Sequence, residues 1–347
     1  MAEDPAPPGS SRLHRSNPAL AGFARAAGAA GFAYLDVDGA PLTDPATVAR
    51  IRALAIPPAW RDVWICPDPL GHLQATGVDV AGRRQYRYHD LWSQQQAHAK
   101  FEHMVSFART LPTMRERVVA TMRAGRDLNR ARVLACSVRL LDVGMFRIGS
   151  EVYEKEDGHL GLATIAKANV SIEKGRAVFD YIAKEGVHRV HAVGDPCCVE
   201  IVGALTRRRG GGDHLLAYRE RRAWHQVHAP LINAHLKGLI GDSYSAKNFR
   251  TWNGTLLAAV ALARCEDDCA SERGRRRAIR RAATEVSEVL GNTPAVARGS
   301  YIDPRVFDRF LSGWTIAGQL QRIEERGLQQ EKRRAAVELA VIDLLAG

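Results

Sequence analysis

The sequence predicts an α+β protein with a small strand-rich N-terminal domain and a larger, mainly helical domain that carries a small antiparallel sheet. Strand patterns dominate residues 31–90, helical patterns dominate the remainder, and one strand-like excursion interrupts the helices at 168–193. The 347 residues are enough for two domains that each have a core.

Composition and turn signals divide the chain into three segments. Residues 1–20 are rich in Pro, Ser and Ala, so we expect a disordered tail. We expect a strand-rich domain over 21–90 and a mainly helical domain over 91–347. In the former, the patterns GFAYLDVDG, VWIC, HLQATGVDV and RRQYRYH alternate with turn signals such as DPLG, and a helix from about Asp44 to Leu54 interrupts them.

Helical periodicity governs most of the second domain. We expect helices over the following stretches: 91–109, 113–123, 127–146, from about 196, 246–264, 275–290, 304–325 and at the C-terminus, with a break at LPT and a glycine-rich loop at 207–214.

A β-hairpin is expected within the strand-like excursion. RAVFDYIA and VHRVHAV alternate in polarity on either side of KEG, which puts Lys184 at or beside the tip. A lysine at a turn is ordinarily solvated. On a mobile tip that reaches a leaving oxygen it would instead donate a proton.

The basic charge is spread over the folded part of the chain. The net charge is +11, and residues 271–300 hold seven arginines against three glutamates. Such a surface attracts polyanions, with nucleic acid the foremost candidate, although a solvated basic face without a partner has the same composition.

Cysteine content and hydropathy indicate a soluble cytoplasmic protein, and a nucleic-acid partner for its basic surface would make it nucleoid-associated. Six cysteines are too few for a disulfide framework in a chain of this length, and Cys265 and Cys269 have no second pair at zinc spacing. The N-terminus has no secretory signal pattern, and the longest apolar run, LLAAVALA, is too short for a membrane span.

Two arginines lie in similar apolar settings, Arg147 in MFRIG and Arg250 in NFRTW. A guanidinium keeps its charge in a protein, so one in such surroundings needs an anion. The anion is either a structural carboxylate or, if the two guanidinium groups bind it together, a phosphate. Asn292 in VLGNTP is either a turn amide or a hydrogen-bond donor to an anion.

Tyr301 is expected at a loop edge, just before a helix. It stands in ARGSYIDP, where Asp303 suits a helix N-cap and Pro304 the first helical position. A lone tyrosine is ordinarily a half-buried packing residue.

The stretch GRRQYRYH interleaves basic and aromatic residues. On a strand, Tyr86 and Tyr88 face one way and Arg87 the other. This pattern fits either a half-buried sheet face or a strand that contacts duplex DNA.

Taken in order, these motifs resemble the type IB DNA topoisomerases of the compact bacterial and poxvirus kind, over about residues 25–330. The resemblance rests on IPPAWRDVWI, GHLQATG and GRRQYRYH, then on MFRIGSEVY, EDGHLGLATI, the KEG hairpin, SAKNFRTWNGT, and VLGNTP followed by Tyr301. It implies the catalytic fold shared by these topoisomerases and the tyrosine recombinases.

The resemblance also implies a role for each matching residue. Tyr301 is the nucleophile, Arg147, Arg250 and Asn292 contact the scissile phosphate, and Lys184 is the general acid. The positions that match DNA contacts of the family are Gln85, Tyr86, Tyr88, Tyr153 and Lys247.

The implied activity is relaxation of supercoiled DNA through a 3′-phosphotyrosine, by a monomer that clamps duplex DNA without ATP, metal or other cofactor. The sequence has no G-x-x-x-x-G-K-[ST] phosphate loop. Many members of the family have histidine where this chain has Asn292, and asparagine donates a neutral hydrogen bond but does not cycle a proton.

Two other classes remain alternatives. A tyrosine recombinase usually has His-x-x-Arg where this chain has Lys247-Asn-Phe-Arg250. A non-catalytic DNA-binding protein needs only the basic surface.

Overall fold

The computed structural model describes residues 13–28, 31–149, 154, 158–265, 269 and 271–346. The chain divides into two compact units, Met1–Lys100 and Phe101–Gly347. Each unit is described separately below.

The first unit is built on a five-stranded antiparallel sheet and one helix. Its elements are β1 (Phe23–Gly28), β2 (Gly31–Leu35), α1 (Pro45–Ala53), β3 (Arg61–Ile65), β4 (Leu73–Val78) and β5 (Arg84–Tyr88). The strand order is β2-β1-β3-β4-β5. The expected strands and helix are present, whereas β1 was missed because its alanine-rich sequence FARAAG lacks a polar–apolar alternation.

The core of this unit lies between helix and sheet. Ile51 of α1 packs with Val63, Ile65 and Ala75 from the central strands. Asp44 caps the helix by accepting from the Thr47 N–H at 2.8 Å.

The expected disordered tail falls partly outside the described residues, which begin at 13. Ser16 donates its backbone N–H to His72 Nδ1 at 3.0 Å, and its hydroxyl donates to the Leu73 carbonyl at 2.8 Å. Ser16, near the end of this segment, is therefore hydrogen-bonded to Leu73 of β4 and to His72, the residue before β4.

The second unit is mainly helical with two small antiparallel sheets. Its elements, with the helix that leads into it, are α2 (Asp90–Arg123), α3 (Arg130–Gly144), β6 (Val170–Glu173), β7 (Arg176–Ile182), β8 (His188–Val193), α4 (Pro196–Arg207), β9 (Ala217–Glu220), β10 (Ala223–Gln226), α5 (Ala229–Ile240), α6 (Ala246–Ala263), α7 (Glu272–Leu290), α8 (Pro294–Ser300), α9 (Pro304–Leu311), α10 (Ala317–Glu325) and α11 (Gln330–Ala346). The sheets are β6-β7-β8 and β9-β10.

Two sequence-based expectations about helices are wrong, and two further elements were missed. Helix α2 continues through Pro112 without the break expected at LPT, because the flanking Leu111 and Met114 are fully buried and their packing outweighs the lost hydrogen bond. The expected helix over 304–325 is two helices, separated near Gly313, whose φ of 84° ends the first one. The hairpin β9–β10 and the short helix α8 were not anticipated.

A buried ionic cluster ties α2, α3 and α11 together. Arg115 bonds both carboxylate oxygens of Asp142 at 2.9 Å and reaches Glu338 at 2.6 Å, while Arg139 and Arg334 also bond Asp142. Burial raises the pKa of Asp142, but the three arginines outweigh it and hold the pKa well below its usual range. The cluster fixes the C-terminal end of α3, immediately before Arg147.

Candidate active site

Arg147 projects from a sharp turn at the end of α3. Met145 is the C-cap in the left-handed conformation, with φ 52°, and it redirects the chain out of the helix. Phe146 is buried against Phe179, with ring centroids 4.8 Å apart. Phe146 thus anchors the turn in the core, and Arg147 follows it at the cleft.

Two glycines allow the segment after Arg147 to approach a neighbouring loop. Gly149 has φ 84°, and a Cβ added to Gly161 would lie 2.5 Å from Gly149 Cα. The Leu162 N–H donates to the Arg147 carbonyl at 2.8 Å. The glycines of RIG and HLG therefore permit the backbone contact that holds Arg147.

Arg250 lies on α6 and is 3% exposed. Its Nη1 donates to the Met145 carbonyl at 2.6 Å and its Nη2 to the Leu290 carbonyl at 2.7 Å, while its buried Nε has no partner among the described residues. Burial first, and then the charge of Arg147, lower the pKa of Arg250 to about 10, although Tyr301 opposes this. Lys247 lies three residues earlier on the same helix.

Three arginines from separate parts of the chain bind the last two carbonyls of α7 and the carbonyl of Gly291, the residue that follows the helix. Arg189 Nη2 donates to Val289 at 2.7 Å, Arg250 to Leu290, and Arg147 Nη2 to Gly291 at 3.1 Å. The C-terminal end of a helix carries partial negative charge and unsatisfied carbonyl groups. The helix end therefore gathers these cations at one place.

Asn292 follows this helix end in a Schellman-type cap. Gly291 adopts φ 62°, and the Asn292 N–H donates to the Ser287 carbonyl at 3.0 Å. The side-chain Nδ2 and Oδ1 are both buried and unpartnered within the described part of the chain. A buried amide without partners is costly, by roughly 1–3 kcal/mol for each group, so this side chain is suited to a polar ligand.

Tyr301 stands at the junction of α8 and α9. Asp303 is the N-cap of α9, as predicted, and accepts from the Arg305 N–H at 2.9 Å. The Asp303 N–H in turn donates to Thr255 Oγ1 at 3.0 Å. These bonds attach the turn that carries Tyr301 to α6.

The Tyr301 ring is buried beside cations, with 8% exposure and with the Arg250 guanidinium carbon 5.1 Å from its centroid. Burial raises the pKa of its phenol, but the positive charges of Arg250, Arg147 and Lys247 outweigh burial, so the pKa lies below its usual value. The surroundings of Tyr301 therefore favour phenolate.

Lys184 lies in the turn between β7 and β8, as predicted. The strands pair from Ala177 with Val193 to Ile182 with His188, and a short 3₁₀ turn, Lys184–Gly186, connects them. The exposed side chain of Lys184 lines the same cleft as Tyr301.

A cleft of about 330 Å³ brings four of the five predicted catalytic residues together. It is lined by Arg147, Ile148, Gly149, His159, Leu160, Lys184, Ala246, Lys247, Arg250 and Tyr301. Asn292 adjoins it through Gly291, whose carbonyl Arg147 binds. Four cationic side chains and no acidic one line the cleft, so the expected alternative of structural Arg–carboxylate pairs does not apply within the described residues.

The predicted residues of the first unit lie on β5. Tyr86 and Tyr88 are exposed and stacked, with ring centroids 6.1 Å apart, whereas Arg87 donates to the Ala55 carbonyl. The predicted facing of the strand is confirmed. Gln85 donates to Asp79 at 2.9 Å. Tyr153 lies outside the described residues.

Sequence reasoning missed three contributors to the site. In the sequence, Arg189 is one of several basic residues in an expected strand, and Gly254 is a glycine within an expected helix, so no local pattern marks either residue. His159 sits in a quoted motif, EDGHLGLATI, but nothing in its spacing marks it. Each makes a contact with a segment distant in sequence: Arg189 with the Val289 carbonyl, His159 with the Gly186 N–H, and Gly254 with the Tyr301 carbonyl.

Across the described ranges, no three His, Cys, Asp or Glu side chains are grouped as metal ligands. Nor is any helix there long and apolar enough to cross a membrane.

Comparison with protein families matches both parts of the chain. Residues 31–79 match the bacterial DNA topoisomerase IB N-terminal domain. Residues 90–312, more than half of the chain, match the catalytic core of eukaryotic DNA topoisomerase I.

A curated relative shows the same similarity over most of its length. The chain is 26% identical over 284 residues to DNA topoisomerase 1B of Acanthamoeba polyphaga mimivirus, which covers 78% of this chain and 82% of the relative.

Proposed function

We propose a mechanism from one premise: the chain belongs to the type IB DNA topoisomerase family. It relaxes supercoiled DNA by cutting one strand through a transient 3′-phosphotyrosine, letting the free end swivel, and resealing the strand. The observation that carries the proposal is the cleft in which four cations surround a buried tyrosine.

In the cleavage step, Tyr301 Oη attacks the scissile phosphorus as phenolate, its proton having passed to solvent. A bond forms between Oη and phosphorus, and the bond from phosphorus to the 5′-oxygen breaks. Lys184 Nζ gives a proton to the departing oxygen, which leaves as a 5′-hydroxyl. Such general-acid catalysis contributes roughly 10²–10⁴-fold.

Arg147 and Arg250 stabilise the charge that develops on the non-bridging oxygens. Each guanidinium already bonds backbone carbonyls, so its orientation is set before DNA binds. Among the described residues the buried Nε of Arg250 has no hydrogen-bond partner, so it is suited to an incoming oxygen.

The Nδ2 group of Asn292 donates a hydrogen bond to a non-bridging oxygen of the same phosphate. Its buried amide has no hydrogen-bond partner in the part of the chain that the structure describes, which supports this assignment. Holding an oxygen needs a donor but no titrating group, so asparagine suffices where many family members have histidine.

Resealing is the reverse reaction. The 5′-hydroxyl attacks the phosphotyrosine, Lys184 takes its proton back, and Tyr301 is released. One phosphodiester replaces another in each direction, so bond energy is conserved, and the mechanism we propose uses no ATP, metal or other cofactor.

The DNA interface includes β5 of the first unit. Tyr86 and Tyr88 present an exposed aromatic pair flanked by the basic Arg84. Together with Gln85, Tyr153 and Lys247, they contact duplex DNA bound by a monomer that closes around it. Contacts to the phosphate backbone make affinity fall steeply as salt rises.

The direct test is relaxation of supercoiled plasmid in EDTA without nucleotide. The wild-type protein should relax the plasmid, and Tyr301→Phe should bind it without relaxing it. Tyr218→Phe, which alters a tyrosine outside the cleft, is the matched control and should retain activity. Relaxation by Tyr301→Phe would refute the mechanism, retardation without relaxation by the wild type would indicate a binding protein, and joining of defined sites between molecules would indicate a recombinase.

A further inference from the structure

Residues 159–163 join the Lys184 hairpin to the loop of Arg147. The Leu160 N–H donates to the Ile182 carbonyl, at the end of β7, at 2.9 Å. The Leu162 N–H donates to the Arg147 carbonyl at 2.8 Å. One short segment therefore spans the distance between two of the proposed catalytic cations.

His159, the first residue of this segment, binds the hairpin tip. The Gly186 N–H donates to His159 Nε2 at 3.0 Å and also faces the Ala183 carbonyl at 3.1 Å. Glu185 and Gly186 both have left-handed φ values, 67° and 72°, and this conformation disfavours a residue with a Cβ. A hydrogen bond from outside the hairpin therefore stabilises the tip in this conformation.

We propose that His159 is a positioning residue for Lys184: by accepting from Gly186, it holds the tip so that the ammonium group reaches the leaving 5′-oxygen. The inference rests on the proposed function and adds a residue to it. The proposed role is indirect: His159 acts on Lys184 through the hydrogen bond that its Nε2 accepts from Gly186 at the hairpin tip.

The test compares two DNA substrates under single-turnover conditions. One is an ordinary duplex, and the other has sulfur in place of the bridging 5′-oxygen at the scissile phosphate. Breaking the phosphorus–sulfur bond releases a thiolate, which is stable near neutral pH without a proton from Lys184. The sulfur substrate thus removes the need for the general acid and keeps every other requirement.

His159→Ala should slow cleavage of ordinary DNA by on the order of tenfold to a hundredfold, within the contribution of a general acid. It should cleave the sulfur substrate at the wild-type rate, and it should add no further loss to Lys184→Ala. His159→Gln, whose Oε1 also accepts a hydrogen bond, should restore part of the rate.

His188→Ala is the matched control, because His188 lies on the same hairpin, is exposed and pairs with Asp180 instead. It should cleave both substrates at the wild-type rate. Equal slowing of both substrates by His159→Ala, or losses that multiply with Lys184→Ala, would overturn the positioning role.

The same experiment distinguishes failure of this inference from failure of the proposed function on which it rests. If the wild-type protein forms no covalent complex, the proposed function fails and the inference falls with it. If the wild type cleaves and Lys184→Ala is rescued by sulfur, but His159→Ala cleaves ordinary DNA normally, the inference alone is wrong.

Discussion

The guanidinium carbon of Arg250 lies 5.1 Å from the centroid of the Tyr301 ring. Arg250 is fixed there by the carbonyls of Met145 and Leu290, so its charge is held beside the proposed nucleophile before DNA arrives. Arg250→Gln should lower the single-turnover rate of covalent complex formation by about a hundredfold or more. Arg264→Gln, an exposed arginine at the end of the same helix, should cleave normally. Equal rates for the two variants would argue against the role of Arg250.

Gly254 permits close contact between α6 and the backbone of Tyr301. A Cβ at this position would lie 2.6 Å from the Tyr301 carbonyl oxygen, so Gly254→Ala must shift the backbone of Tyr301, the proposed nucleophile, relative to α6. A misplacement near 1 Å can cost on the order of a hundredfold in rate, and we expect cleavage to fall by tenfold or more while DNA binding persists. Gly238→Ala, on α5 with open space around it, should leave cleavage unchanged. Normal cleavage by Gly254→Ala would show that the contact does not set the position of Tyr301.

Lys247 contributes to the lowered pKa of the Tyr301 phenol, after Arg250 and Arg147. Because the Tyr301 phenolate is the attacking group in the proposed mechanism, cleavage should rise with pH as the phenol ionises. Lys247→Gln removes a charge that favours phenolate, so this rise should move to higher pH in single-turnover rates measured across a pH series. Lys237→Gln on α5 should keep the wild-type profile, and a shift of Lys247→Gln toward lower pH would contradict the assignment.

Asp142 is fully buried and bonded by three arginines. Asp142→Asn leaves these charges without their partner, and we expect the free energy of unfolding to fall by about 3–5 kcal/mol in urea titrations. The folded-state pKa of Asp142 is depressed, so its contribution is complete above the unfolded-state value of about 3.9 and is lost as pH falls through the folded-state pKa. The difference in the free energy of unfolding between the wild type and Asp142→Asn should therefore become smaller in acid.

The exposed Asp343→Asn on α11 is the control for this variant and should change stability by less than about 0.5 kcal/mol. A similarly small effect of Asp142→Asn would mean that the cluster does not hold α3 in place.

Local signals were sufficient for the elements that carry the site. Alternation around KEG predicted the hairpin of Lys184, and Asp303-Pro304 predicted the helix start after Tyr301. The family, and with it the set of candidate residues, followed from the order of the motifs. The fold class and the presence of separate strand-rich and helical parts were also predicted.

Contacts between segments distant in sequence could not be predicted from local sequence patterns. The continuous helix through Pro112 depends on burial of its neighbours, which outweighs a local preference. Arg189 and Gly254 matter because each meets a carbonyl far along the chain, at Val289 and Tyr301. No local pattern encodes such a pairing, because it depends on how whole helices and the hairpin pack.

Identification of the residue that becomes covalently attached to DNA tests the central claim most directly. The protein is denatured during turnover on a duplex, digested with trypsin and nuclease, and the nucleotide-bearing peptide is sequenced by mass spectrometry. We predict a 3′-phosphonucleotide on Tyr301. Attachment at another residue, or through a 5′-phosphate, would contradict the account.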